Sequence, residues 1–288
     1  MRHIPVVRRR RLGEELKRLR RKAGLTSGQT ARLLGWHQSK VSRIETGVSG
    51  VKGEDLAVLL DALGLTDPQA RSLLSALAGR GADGRGWWEA YGGAIPPRYR
   101  DFISLESQAS TARTLETSVV PGLLQTREYA RAVTRAALEG VPAAAVDALT
   151  EVRLARQAVL RTTTPLRLHA VLDEAVLRRE VGGPGVMREQ LRRLSELARL
   201  PQVCLQVLPF TVGGYVGLAG PFVIFSFPNI NDLDLVVLDH LTNSLYLERR
   251  EELEAYGAAF RTMCAHALST DDSLDLVADI RDGIRDSA

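Results

Sequence analysis

Apolar residues recur at three- and four-residue intervals through the first 78 residues, in five short runs punctuated by glycine or proline. Leu12, Leu16 and Leu19 make the stripe of a first helix over residues 12–22, and Gly24 closes it. Thr26 and Gln29 have the spacing of a capping box. Ala31 and Leu34 then share a face before Gly35 lets the chain turn. Trp36 and Val41 stand where a hydrophobic staple sits at the start of a third helix. Its inward positions are Val41, Ile44 and Glu45, its outward ones Gln38, Ser39, Lys40, Ser42 and Arg43, and Gly47 ends it. Leu56, Leu59, Leu60 and Leu63 mark a fourth helix. Thr66-Asp67-Pro68 opens a fifth, with proline near the first helical position.

The pattern changes after residue 78. GRGADGRG over residues 79–86 has linker composition, and Trp87, Trp88 and Tyr91 follow as a cluster expected to pack against the next domain. The linker is placed at 80–97 and a second domain at 98–288. That domain alternates helical periodicity (residues 99–110, 127–138, 142–160, 186–200, 248–268 and 270–285) with strand patterns (112–120, 166–172, 203–208, 222–227, 235–239 and 245–247). Pro121 to Thr126 reads as a turn, Asp173-Glu174-Ala175 opens a short helix, and residues 213–220 read as a mobile hairpin loop. An open, mainly antiparallel sheet with helices, an α+β domain, is expected.

Charge is unevenly spread. Residues 1–52 hold 14 of the 38 Lys and Arg but 3 of the 34 Asp and Glu, leaving 24 against 31 in the remainder. A basic segment joined to an acidic one is the footprint of a phosphate-binding domain. Arg8, Arg9, Arg10 and Arg11 precede the first helix as either its opening turn or an arm along DNA. In both cases they would bind phosphate through counterion release, without sequence information. No apolar run approaches the roughly 20 residues of a membrane span. The N-terminus lacks the apolar segment of a secretory signal. The two cysteines, far apart in sequence and in apolar surroundings, fit a reduced cytoplasmic protein, nucleoid-associated when bound to DNA.

Residues 26–47 thus have the form of a helix-turn-helix with a polar recognition helix. The segments LGEELKRLRRKAGLT, ARLLGWHQSKVSRIETG and LAVLLDALGL resemble the helix-turn-helix domain of the phage-repressor (Xre) family. The resemblance implies a five-helix all-α domain that binds a two-half-site DNA operator as a homodimer, with the third helix in the major groove. It assigns base reading to Gln38, Ser39 and Arg43 and a DNA-backbone contact to Ser27. It implies an Arg20–Glu45 ion pair joining the first and third helices. Side-chain chemistry agrees for the readers: Gln pairs bidentately with adenine and Arg with guanine, and Ser39 and Arg43 share a helix face. Lys40, on the outer face, is expected to position a phosphate. His37 stands where Ser or Thr usually caps the recognition helix, and Gly28 sits inside the second helix, where it costs about 1 kcal/mol relative to Ala.

The segments SVVPGLLQTREYARAV, LDEAVLRREVGG, VMREQLRRLSELARLPQVCLQVLPF and GPFVIFSF resemble a domain of unknown function that follows the helix-turn-helix in many actinobacterial regulators. That resemblance implies a small partner protein and, in some members, an antitoxin-like role; it carries no catalytic residues. The residues themselves offer none that is compelling. GGYVGLAGP lacks the strand, helix and spacing of a dinucleotide fingerprint. His169, with Asp173 and Glu174, reads as a sheet residue, Asp239-His240 as an exposed strand end, and Cys204 and Cys264 have no neighbouring Cys or His at metal spacing. No metal or cofactor and no enzymatic activity are expected. The reading is a transcriptional regulator whose second domain senses a ligand or a small protein partner, with an antitoxin-like component as the alternative and a DNA-tethered enzyme least favoured.

Overall fold

Five of the helices belong to the basic segment, and their order explains how the third is held. The computed structural model describes residues 4–78, 95–138, 140–227, 234–239 and 244–285. The linker composition, Trp87, Trp88, Tyr91 and His240 lie outside them. The described chain divides into two compact units, the first comprising residues 4–78 and 97–104, the second residues 95–96 and everything from 105 onward.

In the first unit α1 (Ile4–Lys22), α2 (Ser27–Leu33), α3 (Gln38–Glu45), α4 (Gly53–Ala62) and α5 (Pro68–Leu77) follow the predicted runs. Helix α1 is already under way at Ile4, so Arg8–Arg11 continue a helix rather than forming an arm; their side chains lie outside the described residues. Leu12, Leu16, Val41, Ile44, Leu56, Leu60 and Leu74 are fully buried, which makes one core from all but the short α2, and Ala31 brings α2 into it. Gly24, Gly35, Gly47 and Gly64 follow the first four helices with positive φ. At Gly35 the turn is closed by the Trp36 amide donating to the Ala31 carbonyl at 2.8 Å.

The second unit holds a six-stranded sheet in the order β3-β2-β1-β4-β5-β6, where β1 is Thr111–Glu116, β2 Arg167–Asp173, β3 Val203–Leu208, β4 Phe222–Ser226, β5 Leu235–Asp239 and β6 Ser244–Leu247. The sheet is mixed: three of its five pairings, β1–β4, β4–β5 and β5–β6, are antiparallel as expected for the most part, but β1, β2 and β3 are mutually parallel, which the expectation did not include. Parallel neighbours need long crossovers. Helices α7 (Arg127–Ala137) and α8 (Ala143–Arg156) supply the first, α9 (Glu174–Arg178) and α10 (Pro184–Leu197) the second; α6 (Pro97–Glu106), most of which belongs to the first unit, precedes β1 along the chain. Leu115, Val171, Leu208, Phe222 and Ile224 bury one sheet face against Phe260 and Met263 of α11 (Arg250–His266). Ala112, Leu168, Ala170, Leu205 and Val207 on the other face are buried as well, as a sheet containing parallel strands requires. Edge strand β3 is shielded at Val207, whose amide donates to Ser273 of α12 (Thr270–Gly283) and whose carbonyl accepts from Leu268.

The connection from β3 to β4 crosses past β2 and β1, so residues 213–220 are not a hairpin loop. Nor is the loop loose. Gly217 is buried so closely that a Cβ there would lie 2.4 Å from Leu115 and 2.8 Å from the Met263 sulfur. Tyr215 donates to Asp173 at 2.6 Å, and the Phe210 amide donates to Glu174 at 2.8 Å.

Candidate nucleic-acid interface

The outer surface of α3 is set by how its two ends are tied down. At the start, His37 takes the N-cap: its Nδ1 accepts from the Ser39 amide at 3.3 Å and lies 2.8 Å from the Ser39 hydroxyl. An imidazole therefore does the work a Ser or Thr does in other caps. At the end, Glu45 is buried and receives two bonds from Arg20, Nε at 2.6 Å and Nη2 at 3.0 Å, while Arg20 Nη1 donates to the Leu25 carbonyl at 2.7 Å. The pair joins α1 to α3 as expected. Gly13 adds a contact that sequence reading missed: a Cβ there would fall 2.4 Å from the Ile44 carbonyl oxygen and 2.5 Å from that of Glu45. Only a glycine lets α1 lie against the C-terminal backbone of α3 at this distance. A glycine inside an otherwise regular amphipathic stripe was the available signal.

With its inner face fixed, α3 presents Gln38, Ser39, Ser42 and Arg43 to solvent. Arg43 has no ion-pair partner among the described residues, so its guanidinium is available to an external acceptor. Gln38 Nε2 donates to Ser27 Oγ at 3.3 Å, which brings the first residues of α2 and α3 together. Thr26 and Gln29 form the capping box of α2. Gly28 leaves an opening in which a Cβ would make ordinary contact with Gln38, 3.9 Å away. Lys40 is placed differently from the other outward residues. Its Nζ lies 3.0 Å from Asp55 at the start of α4 and 3.8 Å from the centre of the Trp36 ring, so its charge already has two intramolecular partners.

In the second unit, residues 120–126 are held by the polar side chains of buried Gln125 and Gln190 and half-buried Gln157. Gln125 donates to the Val120 carbonyl, Gln157 to that of Gln125, and Gln190 to that of Leu124, while Gln190 Oε1 accepts from the Thr126 amide. Behind them Glu106 and Arg156 form a buried bidentate pair at 2.8 and 2.6 Å. Gly122 packs on that guanidinium: a Cβ would be 3.3 Å from it. Glu116, at the end of β1, is pushed up to about 8, first by burial and then by Asp239, against the pull of a Thr114 hydrogen bond and of Arg153 and Arg156.

His169 is a sheet residue, yet Asp173 and Glu174 do not join it. Asp173 caps α9 through the Ala175 amide and accepts from Tyr215; Glu174 binds Arg178 and the Phe210 amide. Instead His169 meets both cysteines. Cys204 lies directly across from it in the β2–β3 register and interacts with its ring, and Cys264 Sγ is 3.7 Å from Nε2. The surroundings of Cys204 are therefore not apolar, and the thiols do have a histidine neighbour; sequence spacing hid it because the three residues come from β2, β3 and α11. Asp239 accepts from Ser244, its register partner across β5 and β6.

The arrangement in the first unit is that of a helix-turn-helix DNA-binding domain, and residues 11–74 match a family described as "Helix-turn-helix domain". The chain belongs to the family described as "Domain of unknown function (DUF5753)", which matches residues 99–279, more than half of the chain. No curated protein and no solved structure matches it. Among the described residues, no helix is long and apolar enough to cross a membrane.

Proposed function

We propose that the chain is a sequence-specific transcriptional regulator of the phage-repressor (Xre) type, binding a two-half-site operator as a homodimer with α3 in the major groove. The observation that carries this is the α3 surface itself: Gln38, Ser39 and Arg43 are exposed on a helix immobilised at both ends, and the Arg43 guanidinium has no ion-pair partner among the described residues. Gln38 and Arg43 read base edges, Ser39 joins them by exchanging its bond to His37, and Ser27 with the Arg8–Arg11 turns of α1 meets phosphates. Lys40 acts first as framework between Trp36 and Asp55. The test is selection of binding sites from random duplexes by the full chain, followed by titration of the selected site and a scrambled control at several salt concentrations. A preference of at least 10³ that persists as salt rises is expected. Equal affinity for both duplexes would refute base reading, and a one-to-one complex by mass would refute the dimer.

The second domain, in this reading, receives the regulatory signal from a small protein partner rather than from a small apolar ligand. Phe210, Val216 and Leu218 are each more than half exposed in the connection between β3 and β4, on a segment that Gly217 and Tyr215 anchor from beneath. Of two pockets in the same domain, one is lined mainly by charged groups, Arg188, Glu189, Arg192, Arg281 and Asp282, and the other mixes Leu177, Leu276 and Ile280 with Arg178, Glu180 and Asp279. Leu218→Asp should abolish co-purification of the partner while leaving operator binding intact. Retained co-purification would remove this surface from the reading.

A further inference from the structure

The second domain also contains a group of reactive side chains that DNA recognition does not use. His169 lies on β2 with Cys204 beside it on β3, and α11 lays Cys264 against the same imidazole at 3.7 Å. Gln206 Oε1 is 2.8 Å from His169 Nε2, and the Phe260 ring meets the imidazole edge-on at 5.1 Å, so the ring is fixed in orientation. The Thr270 hydroxyl is 4.0 Å from the Cys204 sulfur. His169 and Cys204 both line a surface pocket of about 340 Å³. Its other walls include Arg113 and Arg167, and no carboxylate lines it among the described residues. Neither arginine has an ion-pair partner among the described residues.

We propose that Cys204 is a site of oxidation by hydroperoxides, which reach it through the Arg113–Arg167 pocket, and that Cys264 resolves the product into a disulfide. A thiolate is the nucleophile in such chemistry, and its neighbours decide how much thiolate is present. The hydrogen bond to His169 lowers the Cys204 thiol below its ordinary range, against the effect of burial. His169 in turn is pushed up to about 10, chiefly by its hydrogen bonds to Cys204 and Cys264. His169 beside the thiol thus favours transfer of the Cys204 proton to the imidazole, giving a thiolate next to an imidazolium. The Cys204 thiolate attacks one peroxide oxygen and the O–O bond breaks. The departing alkoxide, or hydroxide, takes the imidazolium proton and leaves as alcohol or water. Cys204 has then lost two electrons to the peroxide and become a sulfenic acid. Neutral His169 next accepts the Cys264 proton, the Cys264 thiolate attacks the sulfenic sulfur, and the expelled hydroxide takes that proton to leave as water. The two guanidiniums on the pocket wall favour the oxyanion that departs.

The full-length protein is exposed to hydrogen peroxide and to cumene hydroperoxide, quenched with an alkylating agent and read by peptide mass spectrometry. Cys204 should lose its free thiol at least tenfold faster than free cysteine in the same buffer. The product should be a Cys204–Cys264 linkage that dithiothreitol reverses. Cys264→Ser should leave a sulfenic acid on Cys204 that dimedone traps, and His169→Gln should slow Cys204 at least tenfold. Arg167→Gln, at an exposed position, should slow it without disturbing the fold. Three results in the unmodified protein would each overturn the proposal: Cys204 reacting no faster than free cysteine, Cys264 reacting first, or a sulfenic acid on Cys204 that persists without linking.

Discussion

Replacing Glu45 with Gln tests whether the reading helix is held by charge or merely by packing. The side chain keeps its volume and one carbonyl oxygen, so Arg20 Nε retains its acceptor. What was the second carboxylate oxygen becomes an amide NH2 facing Arg20 Nη2, donor against donor, where the native distance is 3.0 Å. Among the described residues the guanidinium is then left buried without a counter-charge, with the Leu25 carbonyl, 2.7 Å from Nη1, as its further native acceptor. Removing one partner of a buried pair costs about 3–5 kcal/mol. A retained charge-assisted bond recovers part of that, about 1.5–3 kcal/mol, so the expected loss is about 1–3 kcal/mol. For a domain of this size each kcal/mol moves the melting temperature by roughly 4–8 °C. Calorimetry of the full chain should therefore show the transition of the helical domain falling by roughly 5–20 °C while that of the sheet domain stays. The double replacement Arg20→Met with Glu45→Leu removes both charges and should restore most of the loss, because an apolar pair of similar size is close to neutral or better. An unchanged first transition in Glu45→Gln, or a double variant as unstable as the single one, would refute the reasoning.

Three further outcomes are expected. Arg43→Ala should weaken operator binding by about 1–3 kcal/mol and relax preference at one base position, whereas Lys40→Ala should cost stability of about 0.2–1 kcal/mol through Asp55 and leave base preference alone; quantitative binding across single-base operator variants separates the two. Gly13→Ala should destabilise the helical domain by about 1–3 kcal/mol despite the better helix propensity of Ala, because the new methyl meets backbone oxygens of α3; a rise in melting temperature would show that the helices can separate at no cost. Glu116 governs a pH dependence in the sheet domain. Folding raises it from 4.5 to about 8, so between those values the folded protein holds a proton that the unfolded chain has released. Stability should fall as pH climbs through that window, on the order of a few kcal/mol, and level off above it; Glu116→Gln should flatten the profile in urea titrations, and an unchanged slope would contradict it.

The helical domain was largely legible because its signals are local. The Thr26–Gln29 box, the glycines at 24, 35, 47 and 64 and the leucine stripes each report on residues a few positions away, and the structure places them as read. His37 shows the limit of reading by residue type: imidazole Nδ1 performs the capping that Ser or Thr would supply. Arg20 and Glu45, 25 residues apart, were reached only through family resemblance, and Gly13 was missed because its neighbour in space is the far end of another helix.

Strand positions in the second domain were legible for the same reason, and their order was not. Val203–Leu208 and Leu235–Asp239 follow the apolar runs residue for residue. Which strand lies beside which depends on where the intervening helices carry the chain. The helical patterns between β1 and β2 and between β2 and β3 were the cue for parallel pairing, because such crossovers are what parallel neighbours need. Once that pairing is fixed, the chemistry follows from register. A parallel ladder puts His169 beside Cys204, and alternation along β3 sends Gln206 to the same face. Cys264 comes to that face because α11 is packed on it through Phe260 and Met263. A one-residue slip of β3 would turn Cys204 and Gln206 to the opposite side and dissolve the cluster. The thiol–imidazole group is thus a property of the sheet order, and no spacing between residues 169, 204 and 264 along the chain could have announced it.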